Sequence, residues 1–320
     1  KKNPFGKSGD FITAPNISIL FSEMIAIWVI SFWEKLNCPN EFNLVELGAG
    51  NGEMMRVLIN TFNKFPKFKK SCKINILEKS ELLKKIQKIN IKNIKIKWLN
   101  DLSELNNLPC IFIANEFFDA LPIKQFLKKE KNWYERHVDF TNGKKLEYLD
   151  LPFDMQKFEK KMKFKISYKQ NFIEYSPLAT KYLKIILNKI KFNNGGILII
   201  DYAYLEKKMK NTLQAVSKHE YCDVLKGFRN SDITYNLSFN LINIIIKRFS
   251  PCSSLFTTQK KFLTKLGILE RAEILSKNMP FSEKADIFFR IKRLIDTNQM
   301  GDLFKVMLIT NLKNKFKLGF

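Results

Sequence analysis

Residues 44–52 have the sequence LVELGAGNG, in which three glycines at alternate positions, Gly48, Gly50 and Gly52, follow a short apolar run. Glycine permits a tight turn, and it lets a ligand approach the backbone because it carries no Cβ. A run with helical periodicity, residues 53–63, begins directly after the third glycine. The stretch therefore predicts a strand, a turn and a helix in succession, with a cradle for a nucleotide-like ligand at the turn.

The glycine spacing and the acid before it indicate which ligand the turn binds. The spacing is GxGxG, whereas the turn that binds dinucleotides has GxGxxG. Glu46 lies two residues before the first glycine, where its carboxylate can meet the amino group of S-adenosylmethionine directly or through water. The pattern favours S-adenosylmethionine over NAD. Glycine clusters also occur in ordinary loops, so the turn is interpreted together with the elements around it.

The segment around the turn alternates short β-rich runs with helical runs. The predicted strands are residues 43–47, 73–77, 94–99 and 110–114, and the predicted helices are 53–63 and 80–88. Such alternation predicts a parallel sheet with helices on both faces. The fold class is therefore α/β, a Rossmann-like sheet of the class I methyltransferase type with inserted β-rich and helical segments.

Acidic and amide side chains stand at the ends of the predicted strands, where open α/β sheets bind their ligands. Glu78 ends the second strand and can accept hydrogen bonds from both ribose hydroxyls, and Asp101 ends the third, near the expected adenine. Each acid alone could be a solvated strand end, but the ordered set favours a cofactor site. We expect the cofactor to contact Glu46, Gly48, Gly50, Gly52, Glu78, Asp101 and Asn115.

Residues 114–122, ANEFFDALP, follow the fourth strand and carry two carboxylates, Glu116 and Asp119, on either side of two phenylalanines. Carboxylates can orient a cation or a guanidinium through charge-assisted hydrogen bonds, while aromatic rings exclude water. Alternatively, Glu116 caps a following helix and both phenylalanines belong to the core. We expect Glu116 and Asp119 to act on the acceptor as the catalytic residues.

The rest of the chain predicts insertions into this core. Helices are expected at residues 177–191 and 237–246, a strand at 304–309, and a frayed basic tail at 313–320. The predicted organisation is an N-terminal lid and helix (1–40), a cofactor-binding core (41–124), an inserted β-rich subdomain (125–176), a return to the core sheet (177–205), an inserted cap (206–256) and the C-terminal part of the core (257–320).

Composition and charge limit the function classes. A hydrophobic fraction of 45% in 320 residues suffices for a substantial core and argues against disorder. The net charge of +24 attracts polyanions, but the lysines are scattered through nearly every segment, so a nucleic-acid partner is the less favoured interpretation. Five separated cysteines and two histidines predict no metal site. The apolar run at 20–33 is too short to span a bilayer comfortably, so no transmembrane segment is expected.

Several blocks of the sequence resemble the MidA family of methyltransferases, whose mitochondrial members are complex I assembly factors that methylate arginine. The blocks are residues 9–15, 46–52, 114–122, 199–202, 212–216, 257–259 and 303–306. The resemblance implies a class I methyltransferase with S-adenosylmethionine as the donor. It further implies that the acceptor is a protein arginine, such as one on a respiratory complex I subunit. The implied location is the cytoplasm for a bacterial protein, with the mitochondrial matrix as the alternative.

The resemblance also implies residues around the acceptor, because the block at 9–15 could form a lid over the methyl donor. We expect lid or substrate roles for Asp10, Phe11, Thr13, Pro15, Asp201, Tyr202 and Asp232. Three positions depart from the family pattern: Asn236 and Ser238 stand where the family has His and Asp, and Asn16 stands where it has Glu. Family members carry a helical segment before this block, so we expect the chain to be incomplete at its N-terminus.

Two other functions stay open at the level of the sequence. An RNA methyltransferase would suit the positive charge, although the chain lacks a separate basic and aromatic binding module. A non-catalytic assembly factor would keep the fold and bind a client protein. RNA binding that weakens steeply with salt would favour the first alternative, and client binding without methyl transfer would favour the second.

Overall fold

The computed structural model describes residues 13–92, 94–141, 145–217, 220–226 and 231–320. The chain divides into two compact units. The first contains the described residues up to Phe117, together with Ile185–Tyr202 and Pro251–Phe320, and the second contains Phe118–Lys184 and Ala203–Ser250.

The strands of the described ranges agree closely with the predicted positions around the glycine turn. They are β1 (Phe42–Leu47), β2 (Cys72–Leu77), β3 (Ile96–Leu99), β4 (Cys110–Asn115), β5 (Lys124–Lys129), β6 (Asn132–Thr141), β7 (Lys145–Phe153), β8 (Phe172–Tyr175), β9 (Gly195–Tyr204), β10 (Gln214–Ser217), β11 (Glu220–Cys222), β12 (Asp232–Thr234), β13 (Leu237–Ser238), β14 (Cys252–Thr258) and β15 (Phe304–Asn311).

The α-helices of the same ranges include the four that the sequence predicts at 53–63, 80–88, 177–191 and 237–246. They are α1 (Ala14–Ile17), α2 (Ile19–Lys35), α3 (Glu53–Phe62), α4 (Pro66–Ser71), α5 (Glu81–Asn90), α6 (Met155–Met162), α7 (Pro177–Asn193), α8 (Phe239–Phe249), α9 (Gln259–Lys265), α10 (Ile268–Ser276), α11 (Phe281–Ile295) and α12 (Met300–Leu303). Within the described part of the chain, we find no helix both long and apolar enough to cross a membrane.

The first unit is built on a mixed sheet with the strand order β14-β15-β9-β4-β1-β2-β3. Strands β3, β2, β1, β4 and β9 run parallel, and β15 runs antiparallel to both β9 and β14. Every residue of β1 and β4 is buried, as expected for central strands covered on both faces. The parallel strands end at one edge of the sheet, where the glycine turn and residues 115–117 lie. The predicted α/β fold class is confirmed.

The C-terminal segment of the first unit corrects one prediction. Residues 313–320 are not a frayed tail, because Phe316 packs edge-on against Phe32 with 5.0 Å between ring centroids. Trp28 also donates a hydrogen bond from Nε1 to the Leu318 carbonyl oxygen at 3.2 Å, and Phe320 packs against Phe262. Phe316 and Phe320 are half-buried while Lys313, Lys315 and Lys317 stay exposed, so the segment buries aromatic area without desolvating its charges.

The second unit contains an antiparallel sheet with the order β7-β6-β5-β8 and a three-stranded sheet with the order β11-β10-β12. Glu174 of β8 accepts hydrogen bonds from Gln125 Nε2 at 2.9 Å and from the backbone nitrogens of Thr212 and Leu213. These bonds join chain segments that are far apart in sequence. The predicted insertions 125–176 and 206–256 thus fall mostly within one unit, while the six-segment division itself stays a prediction.

Candidate functional site

The glycine turn adopts backbone conformations that favour glycine. Gly48, Gly50 and Gly52 have φ angles of 68°, 53° and 83°, in the left-handed region where other residues are strained. A Cβ added to Gly48 would lie 2.7 Å from Cδ2 of Phe117. The Gly48 nitrogen donates to the Leu77 carbonyl oxygen at 3.0 Å, which fixes the turn to the end of β2.

A cleft opens beside this turn at the carboxyl ends of β1 and β4. Its lining residues are Thr13, Pro15, Asn16, Glu46, Gly48, Ala49, Gly50, Asn51, Met54, Asn115 and Glu116. The structure therefore brings seven of the predicted site residues together around one cavity: Thr13, Pro15, Glu46, Gly48, Gly50, Asn115 and Glu116.

Glu46 is the electrostatically unusual residue of this cleft. It is only 2% exposed, and burial raises the pKa of its carboxyl group to about 8, with a further contribution from the charge of Glu78. Its Oε2 atom accepts no hydrogen bond from any described residue. A buried acceptor of this kind requires a donor to offset its desolvation, and a ligand ammonium group can supply one.

Asn115, the last residue of β4, and Glu116 after it also line the cleft. Glu116 has a φ of 49°, and its Oε1 accepts hydrogen bonds from Asn115 Nδ2 at 3.1 Å and from the Ala14 nitrogen at 3.4 Å. The Oδ1 atom of Asn115 is buried and accepts no hydrogen bond from the described residues. No helix follows Glu116 between residues 117 and 123, so the alternative that it is a helix cap is wrong.

The N-terminal block contacts the turn through a chain of amide and hydroxyl groups. Asn16 donates from Nδ2 to Thr13 Oγ1 at 2.8 Å, and Asn51 of the turn donates from Nδ2 to Asn16 Oδ1 at 3.2 Å. The Asn16 amide both donates and accepts, which a carboxylate at this position could not do. Two predicted lid residues, Asp10 and Phe11, lie outside the described residues.

Glu78 is buried near the turn without lining the cleft. One carboxylate oxygen, Oε1, accepts a hydrogen bond from the Ser80 nitrogen at 2.8 Å, and Oε2 accepts one from Gln87 Nε2 at 3.1 Å. Gln87 is a residue that the sequence reasoning missed. The available signal was its position on α5, three and four residues after Lys84 and Leu83, on the face that packs inward.

The remaining predicted residues do not line the cleft. Asp101 caps a 3₁₀ turn by accepting from the Ser103 nitrogen at 2.9 Å. Asp201 is fully buried in β9, and Tyr202 packs on Phe304 with 4.1 Å between ring centroids. Asp119 and Asp232 belong to the second unit.

A comparison with protein families matches this chain to a family described as S-adenosyl-L-methionine-dependent methyltransferase, over residues 24–256. The match covers most of the chain. The chain belongs to this family, the MidA-like methyltransferases. The methyltransferase uses S-adenosylmethionine as its methyl donor, as the glycine turn and Glu46 predict.

Curated relatives of the methyltransferase carry a more specific name. The protein arginine methyltransferase NDUFAF7, mitochondrial, of Xenopus laevis is 28% identical, with 98% of this chain and 77% of the relative aligned. The human protein of the same name is 26% identical, with 95% of this chain and 74% of the relative aligned. The similarity therefore extends through both compact units.

A solved structure supports the fold of the methyltransferase. A crystal structure of a COG1565 superfamily member from Burkholderia thailandensis, bound to S-adenosylhomocysteine, superposes on this chain with a TM-score of 0.79 at 20% sequence identity. The comparison covers 99% of this chain and 84% of that one. The class I methyltransferase fold is therefore confirmed.

The residues present fit this cofactor. The Oε2 atom of Glu46 and the Oδ1 atom of Asn115 are two buried acceptors that the described residues leave unpaired at one cleft. The amino-acid end of S-adenosylmethionine carries donors that can satisfy such acceptors, and the glycines leave room beside the backbone.

Proposed function

We propose that the protein methylates an arginine side chain of a protein acceptor, such as a subunit of respiratory complex I. The observation that carries this proposal is the similarity to protein arginine methyltransferases along 98% of the chain. The relatives are named mitochondrial, which supports a mitochondrial location; for a bacterial protein the cytoplasm is expected.

The cofactor residues have separate roles in this proposal. Gly48, Gly50 and Gly52 shape the turn, and Glu46 binds the ammonium group of the donor. Glu78 receives the ribose hydroxyls, with Asp101 near the adenine and Asn115 beside the amino-acid end. When bound, S-adenosylmethionine would supply an electrophilic methyl group on a positively charged sulfur.

The acceptor residues orient rather than deprotonate the substrate. A guanidinium stays protonated in proteins. Methyl transfer to it therefore needs the nitrogen to be aligned with the donor methyl group first, and the proton to leave late. Glu116 has its Oε1 held by Asn115 and the Ala14 nitrogen, and a carboxylate of fixed geometry can bind a planar guanidinium in a bidentate manner. Asp119 acts with it, and Thr13, Pro15, Asp201, Tyr202 and Asp232, with Asp10 and Phe11, are proposed as lid or substrate contacts.

The test is to incubate the protein with S-adenosylmethionine carrying an isotope-labelled methyl group and a lysate of its host. Mass spectrometry then identifies the macromolecule and the residue that gain the label. Labelled arginine in a protein supports the proposal. Label on RNA would replace it with the RNA alternative, and client capture without label in any fraction would favour the non-catalytic one.

A further inference from the structure

Gln87 of α5 connects three parts of the first unit from a completely buried position. Its amide nitrogen donates to the Gly50 carbonyl oxygen at 2.9 Å and to Glu78 Oε2 at 3.1 Å. Its amide oxygen accepts from Trp98 Nε1 at 2.9 Å. One side chain therefore joins the glycine turn, the residue after β2 and the strand β3.

The Trp98 contact determines which way the amide faces. An indole Nε1–H is a donor only, so it must meet the oxygen of Gln87, and the NH₂ group is then left for the other two partners. Both of those partners are acceptors, a backbone carbonyl and a carboxylate. The three bonds are mutually consistent in a single orientation, and a buried network in which all members are satisfied is rigid.

The network leaves the Glu78 carboxylate able to bind more. A carboxylate offers about four lone-pair positions, and the Ser80 nitrogen and Gln87 use one on each oxygen. Each oxygen keeps capacity for a hydroxyl group, which is what a vicinal diol such as a ribose presents. The side chain of Gln87 also holds the Gly50 peptide, whose orientation decides the shape of the turn.

We propose that Gln87 is a positioning residue of the cofactor site, which fixes the Glu78 carboxylate and the Gly50 peptide in the geometry that receives the nucleoside. The inference rests on the proposed assignment of the turn and Glu78 to the cofactor. Gln87 acts through these two partners and leaves the acceptor end of the cleft unchanged.

The test measures binding of S-adenosylhomocysteine by calorimetry to the wild type and to Gln87→Met, which keeps the volume and removes the amide. We expect the dissociation constant to rise roughly tenfold. The matched control is Gln259→Met, because Gln259 is equally buried and donates from Nε2 to the Leu294 carbonyl oxygen at 2.9 Å, away from the cleft. Both variants should lower the unfolding temperature, and only Gln87→Met should change the affinity.

A double-mutant cycle separates positioning from general destabilisation. In a Glu78→Ala background, Gln87→Met should cost less affinity than in the wild type, because one of its two targets is gone. If Gln87→Met does not fold, Trp98→Phe removes the Nε1 donor that orients the amide, together with part of the ring that packs on the core. We expect that variant to weaken binding roughly two- to fivefold.

The outcomes distinguish this inference from the site assignment on which it rests. If Glu46→Gln and Gly50→Val weaken binding while Gln87→Met or its substitute, Trp98→Phe, binds as tightly as the wild type, the positioning role is overturned. Equal losses in Gln87→Met and Gln259→Met would also overturn it. If Glu46→Gln and Gly50→Val themselves bind with undiminished affinity, the assignment of the cleft fails first.

Discussion

Replacing Glu46 with glutamine tests the electrostatic account of the cleft. Burial raises the pKa of Glu46 from its ordinary 4.5 to about 8, so at pH 7 the ligand-free protein holds this carboxyl group protonated. Holding Glu46 protonated at pH 7 lowers the free energy of unfolding, because the same carboxyl group is ionised in the unfolded chain. The difference between 4.5 and pH 7 corresponds to about 3 kcal/mol at 1.36 kcal/mol per pH unit. Glu46→Gln removes this cost. The gain in stability is reduced by the desolvation penalty of the glutamine NH₂ group if that group finds no acceptor.

The sign of the effect follows from proton counting. Between pH 4.5 and about 8 the folded protein binds one more proton at Glu46 than the unfolded chain, so the wild type loses stability relative to Glu46→Gln as the pH rises. Denaturant unfolding of both proteins without cofactor, from pH 5 to 8, should show a difference that grows by up to about 1.4 kcal/mol per pH unit. A difference that stays constant, or that moves the other way, would refute the reasoning.

Cofactor affinity should favour the wild type, whereas the stability of the ligand-free protein favours Glu46→Gln. We proposed that the cofactor's ammonium group binds ionised Glu46 through a charge-assisted hydrogen bond, and on that basis we expect Glu46→Gln to weaken binding roughly ten- to a hundredfold. Wild-type affinity should rise as the pH approaches 8, because binding releases the Glu46 proton. Glu78→Gln provides a second check, because it removes the charge that is the lesser cause of the raised pKa of Glu46. The pKa of Glu46 should fall below about 8, so the pH range over which stability declines should end at a lower pH.

Three further predictions concern the turn, the ribose and the acceptor. Gly50→Val should block cofactor binding in a protein that circular dichroism shows to be folded, because a branched side chain stands at a φ of 53° beside the cleft; undiminished calorimetric affinity would contradict it. Glu78→Ala should weaken cofactor binding by roughly 1 to 3 kcal/mol, and NAD should not compete in a titration. Glu116→Gln and Asp119→Asn should lower turnover strongly while cofactor affinity stays within a few-fold, and unchanged turnover in both would remove them from the acceptor site.

The core of the fold was predictable because its signals are local. The alternation of apolar runs from β1 to β4 predicts the parallel sheet, and the three glycines predict the turn that the φ angles show. Glu46 was predictable for the same reason, since its distance in sequence from the turn fixes its place at the end of β1. Its raised pKa depends on full burial, which only the packed sheet reveals.

The parts that escaped prediction depend on contacts between distant residues. The position of Gln87 on the inward face of α5 is all that the sequence offers, and its role follows only from its hydrogen bonds with Trp98 and Gly50. The C-terminal segment looks like a solvated basic tail because its lysines outnumber its aromatic residues. Phe316 nevertheless packs edge-on against Trp28 and Phe32 of α2. Glu174 joins two insertions through the backbone of Thr212, a contact that no local periodicity encodes.

The most direct measurement is a crystal structure of this protein with S-adenosylhomocysteine. The account predicts that the ligand lies in the cleft beside Gly50, with its amino group within hydrogen-bonding distance of Glu46 Oε2 and its ribose hydroxyls on Glu78. Gln87 should keep its bonds to Gly50 and Glu78. A ligand bound elsewhere, or one in this cleft whose amino group avoids Glu46, would contradict the central claim.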